Sequence, residues 1–236
     1  MSDSTLNFAL WEVKMSERTV EDALVPGKFT NKFSSYMLDA IDYVQRNNPG
    51  RINPYHNTDH MFHVARLALL IYSRESKNGC LGSQLALFVA AMFHDYNHSA
   101  GILSDDENIE AAVKAATWYL HVSNLKDLIP TVEAAIRCTR YPYIKEPESL
   151  IEKCLRDADV LYPAAMRDAD LVMVALKNEM NVSRELRNEK PLDKAEVFEM
   201  QKNFNPVIFT HCGQEWWSVF KPQYLQLIEQ NYFQEA

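Results

Sequence analysis

The sequence predicts an all-α, single-domain fold. Apolar residues recur at helical spacing along most of the chain, and turn residues interrupt that pattern at short intervals. No stretch alternates apolar and polar residues as a half-buried strand does. The 236 residues are 47% hydrophobic and 24% charged, enough chain and apolar side chain to bury a full core. With only 6 Gly and 10 Pro, collagen-like and low-complexity architectures are excluded.

Residues 29–46 carry apolar positions at helical spacing: Phe33, Tyr36, Met37, Ile41 and Val44. Residues 60–75 continue the pattern with Val64, Leu67, Ala68 and Ile71. The segment 83–93 is apolar almost all round, which predicts a helix buried in the middle of the fold. Residues 106–121 read as an Ala-rich helix with Asp106 and Glu107 near its start, where the helix dipole favours negative charge. Further helical patterns cover 127–139, 147–158, 165–180, 193–205 and 214–230. The breaks are Asn48-Pro49-Gly50, Asn53-Pro54, Lys77-Asn78-Gly79, Tyr141-Pro142 and Pro163. Residues 1–25 read as an N-terminal arm and 26–236 as the domain proper.

Lys and Arg total 24 against 32 Asp and Glu, a formal charge of −8. Such a balance argues against duplex nucleic acid as a partner. A small phosphorylated substrate remains compatible, because a metal supplies positive charge locally. Cys80, Cys138, Cys154 and Cys212 are widely spaced with no CxxC, so neither a structural zinc cage nor a disulfide framework is indicated. Reduced thiols in a cytoplasm are the simplest reading. The N-terminus has no basic patch followed by an apolar run, so no signal peptide is expected. The longest apolar stretch, residues 85–93, is about half the length of a bilayer span, so no membrane partner is expected.

Five of the seven histidines fall between residues 56 and 98, in Tyr55-His56-Asn57-Thr58-Asp59-His60 with His63, and in His94-Asp95-Tyr96-Asn97-His98. The second group directly follows the most apolar segment of the chain. Burying His94 and Asp95 there is costly unless they are paired or hold a cation. His and carboxylate together suit zinc, iron, manganese or, with waters, magnesium. A lone His or a His-Asp dipeptide is a weak signal; two His-rich groups beside one apolar helix are a strong one.

These stretches, YHNTDH (55–60) and HDYNHSAG (94–101), resemble the HD superfamily of metal-dependent phosphohydrolases. Within it they are most similar to the class I 3′,5′-cyclic nucleotide phosphodiesterases, over about residues 52–210. The resemblance implies a compact helical catalytic domain. It requires a closing aspartate, for which Asp157 and Asp159 are candidates. Helical periodicity separates the two weakly. The local match of Ala158-Asp159-Val160 with Pro163 to the family's Ala-Asp-Leu-x-x-Pro selects Asp159 and leaves Asp157 as a solvated charge.

By resemblance, His60, His94, Asp95 and Asp159 would bind one divalent ion. A second would share Asp95 and be held mainly through waters. The pair would be Zn2+ with Mg2+ or Mn2+, bridging a hydroxide that attacks phosphorus. His98, Glu110 (in Asn108-Ile109-Glu110-Ala111) and Thr139 (in Cys138-Thr139) would hold metal-bound water. His56 would be the general acid that protonates the leaving O3′, poised by a carboxylate for which Glu215 is one candidate.

Gln201-Lys202-Asn203-Phe204 resembles the family's Gln-x-x-Phe base clamp, with Val197, Gln201, Phe204 and Ile208 on one helical face. An amide offers donor and acceptor to a base edge, and an aromatic face suits stacking. Tyr162 stands where purine-reading members often carry Asn, and with Asn57 and Tyr55 it completes the expected substrate contacts. The expected activity is hydrolysis of 3′,5′-cyclic nucleotides to 5′-nucleotides. The alternatives are another HD phosphohydrolase (a nucleotidase, a dNTP triphosphohydrolase or a cyclic oligonucleotide phosphodiesterase) and a non-catalytic nucleotide-binding module. Short loops between the motifs leave room for a larger cyclic di- or oligonucleotide. No GYP follows the HD motif, which argues against the cyclic-di-GMP branch of the superfamily.

Overall fold

A computed structural model describes residues 31–231 apart from 78 and 167. The expected arm at 1–25 lies outside the described residues. Those described form helices α1 (Asn31–Asn47), α2 (Thr58–Glu75), α3 (Leu81–Phe93), α4 (Asp105–Val122), α5 (Ile129–Arg137), α6 (Leu150–Ala165), α7 (Ala169–Leu186), α8 (Lys194–Asn203) and α9 (His211–Asn231). Two 3-10 turns, Pro49–Ile52 and Lys126–Leu128, complete them, and no strand occurs among the described residues. No helix among them is long and apolar enough to cross a membrane.

The all-apolar segment becomes the centre. Every residue from Leu85 to Phe93 on α3 is buried, and α3 packs against α1, α2, α4, α5 and α6. Burying Phe88, Met92 or Phe93 contributes roughly 1.5–3 kcal/mol each. Helix α2 touches both α3 and α6, so the three helices meet in the middle of the molecule. The helix starts are set by local chemistry. Ser104 with Glu107, Ser149 with Glu152 and Asp193 with Glu196 form reciprocal capping boxes at α4, α6 and α8.

Two expectations about α6 fail. Pro163 does not break the chain: α6 runs through it to Ala165. Proline removes one N–H and crowds the carbonyl four residues back, so α6 completes its last turn without that hydrogen bond. Asp157 is not solvated but fully buried. Its carboxylate accepts from Phe209 N at 2.9 Å, Thr210 N at 2.7 Å and Thr210 Oγ1 at 2.7 Å, tying α6 to the start of α9. Burial pushes this carboxyl up while the three donors pull it down. Asp157→Ala would leave those donors buried and unpaired. We expect it to lower the unfolding free energy in a urea titration by about 2–4 kcal/mol. A change under about 1 kcal/mol would mean the tie is dispensable.

The expected helix over 193–205 is shorter, ending at Asn203 with Phe204 extended at its C-cap. Val197, Gln201, Phe204 and Ile208 therefore do not share one helical face. Lys221 from α9 donates to the carbonyls of Gln201 and Phe204, satisfying the end of α8 where the ladder stops.

Candidate metal centre

The loop that leaves α3 is held from outside. Asn48, fully buried, accepts from Gly50 N at 3.0 Å and from Asn97 N at 2.8 Å, while Asn97 takes φ +63°. Asn53 Nδ2 donates to His98 O at 2.7 Å. A Cβ on Gly50 would stand 3.3 Å from the His98 backbone, a tight approach that would push the two segments apart by a few tenths of an ångström. Thus the segment 94–98 is fixed against the turn that precedes α2.

His60 comes from α2, Asp159 from α6, and His94 with Asp95 from the end of α3. The structure brings all four together as a group able to hold a metal ion. Asp95 Oδ2 lies 3.0 Å from both His60 Nε2 and His94 Nε2. The two Nε2 atoms are 3.2 Å apart, and Asp159 Oδ1 stands 3.4 and 3.5 Å from them. Separations of that size suit donors ringed about 2 Å from a common centre, the reach of zinc to imidazole or carboxylate. His94 Nδ1 lies 2.7 Å from Ala91 O, so it carries the ring proton and leaves the Nε2 lone pair facing the group. His60 Nδ1 is buried without a hydrogen-bond partner. The donor set fits a divalent cation of the zinc or manganese type.

The electrostatics agree. Burial opposes charge on His94, yet Asp95 and Asp159 hold its ring well above the usual histidine range. Burial likewise opposes the Asp95 and Asp159 carboxylates, but the surrounding histidines keep both below the ordinary range. A cation in their midst would take over the role that protonated histidine plays without it.

His56 stands beside this group, its ring 5.5 Å from that of His60 and 3.9 Å from that of His98. Its Nδ1 is bonded to Glu179 Oε1, while Glu179 Oε2 accepts from Tyr55 N at 2.8 Å and His56 N at 2.9 Å. Burial opposes the charged ring, but Asp95 and Glu179 outweigh it and hold His56 at about 9. Glu179 is drawn down to about 2: burial opposes this, and the bond to His56 prevails. The carboxylate paired with His56 is therefore Glu179 of α7, not Glu215, which is exposed and pairs with His211 at 3.2 Å. The signal for Glu179 was an acid on an apolar helix face, seven residues after Val172 and three after Leu176.

His98 accepts from Ala100 N at Nδ1, 3.2 Å away. Burial, with the His56 charge next, depresses its ring to about 4. The neutral ring thus carries its proton on Nε2 and is a donor rather than a ligand. His56, Asp95 and His98 still stand close enough to form a second acidic and imidazole group.

The structure places the other expected site residues as follows. Glu110 is exposed and paired with Arg137, because its neighbours Asn108 and Ile109 take the inward face of α4. Thr139 is buried, its hydroxyl donating to Ile136 O at 2.8 Å at the end of α5. Asn57 is the N-cap of α2: its Oδ1 accepts from Asp59 N and His60 N, and its Nδ2 donates to Asn53 O and Pro54 O. Both ends of the amide are engaged, and the cap positions His60. Tyr55 and Tyr162 are buried, with ring centres 5.2 and 4.5 Å from His60, and wall in that ligand. Gln201 accepts from the Tyr224 hydroxyl at 3.4 Å, and Phe204 stands 6.5 Å from both Trp217 and Tyr141. Asp105 was not foreseen. Its carboxylate accepts from Tyr141 N at 2.6 Å; burial raises it, and the Asp95 charge adds to that.

No protein-family model and no curated protein sequence matches this chain.

Proposed function

We propose that the chain is a metal-dependent phosphodiesterase that hydrolyses 3′,5′-cyclic nucleotides to 5′-nucleotides. The observation that supports this reading is the His56–Glu179 pair beside the His60, His94, Asp95 and Asp159 group. A cation store or a structural metal site has no use for a protonated, partly exposed imidazole held at its edge. Two divalent ions, zinc with magnesium or manganese, are proposed, held by those four residues and shared at Asp95. Bound there, they would neutralise phosphoryl charge and acidify water.

The chain's own contribution is proton traffic and orientation. Glu179 holds Nδ1 of His56, which leaves Nε2 to deliver a proton to the leaving O3′. After delivery, the imidazole stays oriented by the same carboxylate, ready to be protonated again. His98 presents Nε2–H to the same space. Phe204, half-buried, offers a ring to a base, and Gln201, with its oxygen held by Tyr224, offers its amide N–H to a base edge. Cys138, Cys154 and Cys212 are free and buried, in keeping with the proposed cytoplasmic location.

The test is a metal-supplemented hydrolysis panel of cAMP, cGMP, cCMP, cUMP, cyclic di- and trinucleotides, dNTPs and 5′-monophosphates. The expected result is chelator-sensitive conversion of a 3′,5′-cyclic nucleotide to its 5′-nucleotide. Turnover of dNTPs or 5′-monophosphates alone would move the chain to another branch of phosphohydrolases. Nucleotide binding with no turnover of any member would make it a binding module.

A further inference from the structure

Arg156 lies on α6 three residues before Asp159 and is 3% exposed. Its guanidinium carbon stands 3.9 Å from the centre of the Tyr143 ring and 5.8 Å from that of Phe209. Its Nε and Nη2 are buried and make no hydrogen bond. Those two nitrogens share one edge of the guanidinium plane, the edge that grips two oxygens of a phosphoryl or carboxylate group.

The nearby carboxylates are committed elsewhere. Asp157 serves Phe209 and Thr210, and Glu152 accepts from Ser149 and Cys138. Asp159 belongs to the histidine group. A buried cation with an idle donor edge is unfavourable unless an anion completes it. Along α6 the backbone position of Arg156 lies three residues, about 5 Å of rise, before that of Asp159 in the candidate metal group.

We infer that the Nε–Nη2 edge of Arg156 is a subsite for a second phosphoryl group of the substrate, one other than the group attacked. The favoured substrates would then carry two phosphates, as cyclic dinucleotides do. This inference rests on the phosphodiesterase reading for the substrate and on Arg156 alone for the anion. A guanine edge also accepts a bidentate arginine, but it is neutral and would leave the buried charge uncompensated. Tyr143 lies against the face of the guanidinium, and the edge itself is buried, so an entering phosphoryl group must displace the atoms packed at that edge.

Two measurements test this. Inorganic phosphate is titrated calorimetrically into the metal-chelated wild-type protein, Arg156→Met and Arg156→Lys. Wild type should bind, Arg156→Met at least about tenfold more weakly, and Arg156→Lys in between, since lysine keeps the charge and loses the fork. Arg156→Met should melt no lower than wild type, because it removes an unpaired buried charge. In kinetics with metal, Arg156→Met should raise KM for a cyclic dinucleotide at least about tenfold more than for a cyclic mononucleotide.

Equal phosphate affinity in wild type and Arg156→Met would overturn the subsite. So would a lower melting temperature with equal losses on every substrate, or a loss confined to guanine nucleotides. If wild type cleaves no phosphodiester, the function falls, while the phosphate titration still decides the role of Arg156.

Discussion

His94→Ala and Asp95→Ala are expected to abolish turnover and to strip bound metal from an otherwise folded protein. Asp95 Oδ2 touches both histidine nitrogens at 3.0 Å, and His94 has its tautomer fixed by Ala91 O, so each is a hub of the group. Removing either takes away one of four donors, and with Asp95 also a negative charge, so the group would hold a divalent ion much more weakly. On the proposed reading, rate should fall by at least about a thousandfold, since a bound ion would supply both the nucleophile and charge neutralisation. Metal content by elemental analysis and helicity by circular dichroism would be read alongside. Full turnover by chelated, metal-free wild-type protein would sink the phosphohydrolase reading.

His56→Ala should show the complementary pattern, with metal retained and rate lost by a factor of about 100 to 10,000. The loss should shrink on a p-nitrophenyl phosphodiester, whose leaving group needs no proton. Equal losses on both substrates would remove His56 from the role of acid. Glu179→Gln should fall on the same side as His56→Ala, more mildly, because the amide still accepts from the two backbone N–H groups.

The same pair sets a pH dependence in the chelated protein. His56 is raised from 6.5 to about 9 on folding, so its stabilisation is complete below 6.5 and is lost as pH rises through 9. Glu179 is lowered from 4.5 to about 2, so its share is present above 4.5 and is lost as pH falls through 2. The pair therefore supports the fold best between about pH 4.5 and 6.5, and Glu179→Gln should flatten that maximum in a melting-temperature series.

The helices were legible because their periodicity is strong and their breaks carry Asn, Gly and Pro. The candidate metal group was legible because His60 stands in the short motif that opens one helical pattern, and His94 and Asp95 directly follow the most apolar segment. Glu179 and Asp157 were not, because what buries them lies far along the chain: Tyr55 and His56 for one, Phe209 and Thr210 for the other. An acid in a helix looks solvated until its packing partner is known. Glu110 shows the reverse: a local match suggested the centre, but the face of α4 points it outward to Arg137. Arg156 carries no sequence signal, since one charged residue in a mixed helix looks solvated until its neighbours prove to be rings.

Two side chains, Glu179 and Asn57, receive the backbone N–H groups of Tyr55, His56, Asp59 and His60. The N–H of Asn57 itself goes to Tyr55 O. A loop running into a helix ordinarily frays and trades these protons with water within moments. Here the entry to α2 should instead exchange with deuterium as slowly as a helix interior. His56 and His60, the proposed proton donor and the first histidine of the candidate metal group, are thereby held at a fixed offset by a loop with the stiffness of a core element. Local opening, when it comes, would release both at once, so that heat would silence the site in a single step.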